Sequence, residues 1–147
     1  MARFRFRLEA LLTARQEIER RHQREVADFE RQRRDLEDTL RRHQQFITEG
    51  QAALRDRLVG AIEVDKLRTH AGTTLQLMRA AQRLVLEAAE VHQRLEEARA
   101  RLASAAADRR AIELLRERRY EAWRRKIERA EDALIDELAN RPKREWM

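Results

Sequence analysis

From residue 26 onward the apolar positions of the chain fall in alternating steps of three and four. Val26, Phe29, Arg33, Leu36, Leu40, His43, Ile47, Gly50 and Leu54 hold that register, which is the seam of a coiled-coil helix. Upstream, Leu8, Leu11, Arg15 and Ile18 keep the same steps, and two successive steps of four through His22 to Val26 form a stutter, which locally unwinds a supercoil. A second seam runs through Leu77, Ala81, Leu84, Ala88, Val91, Leu95, Ala98, Leu102, Ala105, Arg109, Ile112, Arg116, Arg119 and Trp123, ending near Ala130 and Leu134. Its middle is rich in alanine, and small residues there let a bulkier helix approach closely.

The stretch ARFRFRLEALL, residues 2–12, fits two periods. Phe4, Phe6 and Leu8 alternate with Arg3, Arg5 and Arg7 as in a half-buried strand, whereas Phe4, Leu8 and Leu11 recur as on a helix. The alternation stops after Leu8, while the helical spacing leads into the first seam, so a helix is expected from the start.

Between the seams, LVGAIEVDKLRTHAGTTLQLM gathers Gly60, Gly72, Thr73 and Thr74, a concentration of helix breakers. Two turns compete there: Gly60 with Asp65 as the next N-cap, or Gly72 with Thr73 or Thr74 as N-cap. The expectation adopted is a turn between Leu58 and Asp65. The fold class is then all-α, two long helices forming an antiparallel coiled-coil hairpin in one domain over residues 1–147. Arm one covers residues 3–58, the tip 59–65 and arm two 66–140, with Pro142 stopping the second helix and residues 141–147 an exposed tail.

Composition narrows this further. Charged residues make up 41% of the 147 and aromatics 5%, with only 3 Gly and 1 Pro, too few bulky groups and turn-formers for a round core. Disorder is disfavoured because the 42% hydrophobic residues recur at regular intervals. The net charge of +6 is small beside the 33 basic and 27 acidic residues that produce it, and without a basic block it argues against specific nucleic-acid binding. The chain has no cysteine, hence no disulfide framework and no thiolate metal site, which suits a reducing cytosol. No apolar run reaches the roughly 20 residues of a membrane span. Glu9, Glu17 and Glu19 set the Arg-rich start apart from a transit peptide.

Chemistry is sparse. His22, His43, His70 and His92 are too far apart in sequence for a local metal motif. None of the zinc-protease, phosphate-loop or nucleophile-elbow patterns occurs, so no enzyme activity, metal or cofactor is expected. Polar seam residues such as His22, Arg33, His43, Arg109, Arg116 and Arg119 fix register at a cost in stability. Glu17 with Arg21, Glu30 with Arg34, Glu37 with Arg41 and Glu97 with Arg101 are spaced as i,i+4 pairs on wet faces. What remains are apolar groups that one partner helix cannot cover. Phe46 stands one position off the seam, and Leu75, Leu77 and Met78 broaden the apolar face near the tip. Trp123 is followed by Arg124, Arg125 and Lys126. Each fits ordinary closure of the helix pair or a landing patch for a partner.

Two segments, FRFRLEALLTARQEIE near the start and KIERAEDALIDELANR near the end, resemble the FliJ family, coiled-coil proteins of flagellar type III export. The first, residues 4–19, is similar to that family's F-x-F-R-L-E-x-L-L opening followed by R-x-x-E. The second, residues 126–141, is similar to its ending, with Glu128, Asp136, Glu137, Leu138 and Ala139 in the acidic run. The resemblance implies a stalk-like, non-enzymatic hairpin, cytoplasmic and held at the inner membrane only through partners, and a monomer when free. Those partners would be the flagellar export ATPase hexamer, whose assembly and activity it promotes, the export gate membrane protein, and export chaperones. On that implication Arg3, Phe4, Arg5, Phe6, Arg7, Leu8, Trp123, Arg124, Arg125 and Lys126 address the ATPase ring. Phe46 and Leu77 address the gate, although Thr73 stands where the family tends to carry an aromatic. The stalk of a virulence-type secretion system, a cytoplasmic homodimeric scaffold and a nucleic-acid-associated coiled coil are the alternatives.

Overall fold

The computed structural model describes residues 3–142. The chain is all-α: α1 (Glu9–Arg57) and α2 (Val64–Ala139) pack against each other as in a coiled-coil hairpin, and no strand occurs among the described residues. Contacts divide the chain into two compact units, one made of Arg21–Ala103 and the other of Met1–Arg20 with Ser104–Met147.

In the unit Arg21–Ala103 the core is built from Val26 of α1 and Leu95 and Ala98 of α2, with Phe29 and Leu102 packed against it. Leu95 and Ala98 are fully buried. Ala98 makes the room that the bulkier residues fill, and this large-into-small fit is what the alanine-rich second seam provides. Along α1 every seam position from Phe29 to Leu54 is half-buried. The helices run antiparallel, since Arg101 pairs with Glu25 at 2.8 Å while Arg99 pairs with Glu30 at 3.3 Å.

Two seam groups are less than fully satisfied. Arg33 Nε lies 3.7 Å from Glu37 Oε1, an ion pair too long for a hydrogen bond. His43 Nδ1 is buried without a hydrogen-bond partner among the described residues, and an unsatisfied buried polar group costs about 1–3 kcal/mol. At Gly50 a Cβ would meet His70 Cε1 at 3.1 Å, so glycine leaves room for the imidazole.

The connection spans residues 58–63. It opens with the Leu58 amide donating to the Leu54 and Arg55 carbonyls, and Gly60 takes φ 110°, a conformation that L side chains rarely adopt. Gly72 lies within α2. Asp65, expected as an N-cap, lies instead inside the first turn of α2, where its charge complements the positive end of the helix dipole.

In the other unit the start of the chain corrects the expected helix. Residues 3–6 are irregular, Arg7 and Leu8 form a turn, and α1 begins only at Glu9. Burial there follows the period of two: Phe6 is buried and Phe4 half-buried, while Arg3, Arg5 and Arg7 are exposed. A helix would turn Phe4 and Phe6 about 200° apart around its axis, leaving one ring in water; the irregular segment turns both toward α2. The register is corrected as well, since Leu12 is 5% exposed and Leu11 38%.

Antiparallel pairing continues as Glu9 with Arg116 at 3.0 Å, Arg15 with Asp108 at 3.3 Å, and Arg109 with Glu19. The second seam stays covered through Ile112, but Arg116, Arg119, Ala130 and Leu134 are exposed. With Glu9 opposite Arg116, the first described residues are reached near Trp123, so α2 beyond Ile127 has no described residue opposite it. α2 stops at Ala139 and Pro142 is exposed; residues 143–147 of the expected tail lie outside the described residues.

The ion pairs also depart from expectation. Glu30 reaches across to Arg99 and Arg101 across to Glu25, while Glu37 pairs with Arg33 and Glu17 with Arg20. In a two-helix pair the facing helix offers guanidinium groups to carboxylates that flank the seam, and these compete with same-helix partners.

Candidate functional site

A cluster of aromatic side chains lies in the unit formed by residues 3–20 and 104–142. Phe4 meets Tyr120 edge to face, ring centroids 5.3 Å apart with planes at 81°, and meets Trp123 at 5.7 Å. Tyr120 and Trp123, three apart on α2, share one face and lie 5.7 Å from each other. The Arg119 guanidinium sits over the Phe6 ring, 5.8 Å from its centroid, within cation–π range. Beside this cluster a hollow of about 520 Å³ is lined by Phe4, Leu12 and Tyr120, with Gln16, Glu113, Arg116 and Glu117 at its polar edge.

Of the residues assigned to this end from the sequence, Phe4 and Trp123 come into contact with each other. Phe6 is buried and Leu8 half-buried. Arg3, Arg5, Arg7, Arg124, Arg125 and Lys126 are exposed, with Arg124 on Glu128 at 3.0 Å and Arg125 on Glu121 at 3.9 Å. Tyr120 and the stacking role of Arg119 were not foreseen. The signal was the i,i+3 spacing of two α2 aromatics facing two aromatics at the chain start.

Below the cluster Arg109 bridges the two helices. Its guanidinium is held above its ordinary value by Glu113 and then Glu19, while the Glu113 carboxyl is held below its ordinary value by Arg109 and then Arg110. These groups stay charged near neutrality, which suits a lock between helices and not proton transfer. In the unit Arg21–Ala103, His22 and then Arg101 hold Glu25 below its ordinary value, and Glu30 then Glu96 hold Arg99 above its own.

The second assigned patch lies in the unit Arg21–Ala103. Phe46 is 60% exposed, an aromatic ring largely in water. Leu77 sits half-buried in the seam, and the exposed apolar groups beside it are Leu75 and Met78. Leu58, Val59, Ile62 and Val64 at the turn are exposed as well, a surface absent from the expectation because a turn is read by its breakers and not by the residues between them.

Among the described residues no group of three or more side chains is placed to hold a metal ion, and no helix is long and apolar enough to cross a membrane. The chemistry on offer is contact: aromatic rings and guanidinium groups arrayed on helix surfaces, residue types enriched in protein-binding hot spots. A family model described as the flagellar FliJ protein matches residues 4–144. No curated protein and no solved structure matches the chain.

Proposed function

The chain belongs to the FliJ family of flagellar proteins, which makes it a component associated with flagellar protein export, and from that premise we propose that it acts as a stalk-like partner of the export ATPase ring. In this role it promotes ring assembly and hydrolysis without catalysing a reaction itself. It also links the ring to the export gate and to export chaperones.

The observation that carries the proposal is the aromatic end of the unit formed by residues 3–20 and 104–142. Phe4, Tyr120 and Trp123 form one cluster, flanked on the surface by exposed Arg3, Arg5, Arg7, Arg124, Arg125 and Lys126. An aromatic centre with a basic rim is a surface that docks on an apolar collar bordered by acidic groups. A stalk must also resist bending and twisting inside its bearing, and the cross-helix pairs of Arg109, Arg116 and Arg15 clamp the helices in this unit. Phe46 and Leu77, with exposed Leu75 and Met78 nearby in sequence, are the surface proposed for the gate.

The test is hydrolysis by the flagellar export ATPase of the same organism as this protein is titrated in, with ring assembly followed by light scattering. Stimulation that tracks assembly is expected. Arg124→Glu combined with Arg125→Glu should weaken it most at low salt, where surface charges are least screened. Unchanged rate and unchanged assembly at saturating protein would overturn the stalk role.

A further inference from the structure

Beyond the half-buried Ile127, the last turns of α2 carry an apolar face that no described residue lies opposite. Ile127, Ala130, Leu134 and Leu138 continue the spacing of the second seam, yet Leu134 is 56% and Leu138 55% exposed, and Ile135 beside them is exposed too. Around this stripe the charges are sorted in sequence. Arg124, Arg125, Lys126 and Arg129 occupy the first half, interrupted by Glu128, which pairs with Arg124 at 3.0 Å, and Glu131, Asp132, Asp136 and Glu137 occupy the second. Lys126, Arg129, Glu131, Asp132 and Asp136 form no ion pair with any described residue.

We propose that residues 124–138 pair antiparallel with the same stretch of a second copy of this chain, the two helices crossing near Ala130. Reversing the segment on itself places the basic half of one copy against the acidic half of the other, on both sides of the two-fold axis. It also sets Ile127 of one copy near Leu134 of the other, and the small side chain of Ala130 lets the helices approach at the crossing. A parallel pair would set like charges opposite one another, so the charge order selects the antiparallel arrangement. The seam spans only about two heptads, fewer than a stable coiled coil needs. The association is therefore weak and reversible: the chain is a monomer when dilute and pairs as its concentration rises.

Sedimentation of the full chain over a roughly hundred-fold range of concentration reads this directly, because self-association makes mass depend on concentration. The expected result is a mass rising toward twice the monomer, with the rise reduced at high salt. Two charge variants make the test specific to this face. Arg125→Glu with Arg129→Glu, and separately Asp132→Arg with Asp136→Arg, each put like charges opposite in their own pairs and should stay monomeric. Mixed in equal amounts they present opposite charges to each other and should associate again. All four positions are exposed, and circular dichroism of each variant verifies that the helices are intact. A wild-type chain that remains monomeric throughout, or a mixture that associates no better than its components, would overturn the proposal. So would a Leu134→Asp, Leu138→Asp chain that associates like wild type.

Discussion

Phe4 and Tyr120 are 116 positions apart in the chain and meet edge to face, centroids 5.3 Å apart with planes at 81°. The contact requires the chain before Glu9 to leave the helical path, and it ties an irregular segment to a rigid helix. Aromatic pairs of this geometry contribute about 0.5–1.5 kcal/mol beyond the area they bury. Phe4 makes one such pair with Tyr120 and a second, tilted contact with Trp123, planes at 52°.

Phe4→Ala should therefore release the start of the chain while leaving α2 folded, at a cost of about 1–3 kcal/mol. Trp123 is the natural reporter, because it loses a ring neighbour. In a Trp146→Phe background, which leaves Trp123 as the only tryptophan, its emission should shift to the red and become easier to quench, with helix content nearly unchanged. An unshifted emission would show that Phe4 does not shield the indole in solution.

The contrast between this end and the rest shows what a sequence can carry. From Phe29 to Leu54 the three-four spacing alone identifies the covered face, because one helix against one helix admits a single stripe. At the start of the chain the spacing fits both a helix and an extended segment. Only the presence of Tyr120 and Trp123 opposite, a fact of register between distant segments, decides between them. Adjacent leucines pose the same problem on a smaller scale: Leu11 and Leu12 differ by 100° around α1, and the facing helix selects Leu12. The second seam keeps its periodicity through Ala130 and Leu134 although no described residue covers them, since a pattern records what a face can bind and not what is bound. Of the candidate site, Trp123 was legible as an aromatic beside a basic run, and Phe4 and Phe6 as the apolar side of the opening stretch. Tyr120 was not, because a lone tyrosine beside arginines reads as an ordinary wet face.

Acid should loosen the protein in a defined window. Glu25 and Glu113 are both held below the ordinary carboxylate value of 4.5, by His22 with Arg101 and by Arg109 with Arg110 respectively. The folded state then binds protons less readily than the unfolded state, so these pairs stabilise the fold above about pH 4.5. Their contribution is lost as pH falls through the lowered folded values. Thermal melts should be flat from neutrality down to that point and fall below it. Glu25→Gln with Glu113→Gln should lower the neutral melting temperature and make the acid decline shallower.

Two glycines should respond to alanine in opposite directions. Gly60 has open space around its Cβ position but a φ of 110°, so Gly60→Ala is a pure test of backbone strain and should destabilise by about 1 kcal/mol. Gly72 also has open space and lies within α2, where alanine is favoured over glycine by about 0.8–1 kcal/mol. Gly72→Ala should raise the urea midpoint by a comparable amount, with the slope of the transition unchanged. Equal signs for the two substitutions would place the helix break elsewhere in solution.

The core of the unit Arg21–Ala103 offers a paired test of the large-into-small fit. Leu95 is fully buried against Val26 and Ala98, and Ala98 is itself fully buried. Leu95→Ala removes the only large side chain in this unit's core that is wholly out of water, and a deletion of that kind costs about 2–5 kcal/mol. In a pair of helices free to close the gap, the low end of that range is expected. Ala98→Leu adds bulk where α1 must approach, and overpacking costs about 1–3 kcal/mol. If close approach is the reason for the alanine, the double substitution Leu95→Ala, Ala98→Leu restores volume without restoring fit, and it should recover only part of either loss. Urea unfolding of the four chains yields the coupling energy directly. Full recovery would mean that volume alone governs this core, and simple additivity would mean that Leu95 and Ala98 do not share one packing arrangement.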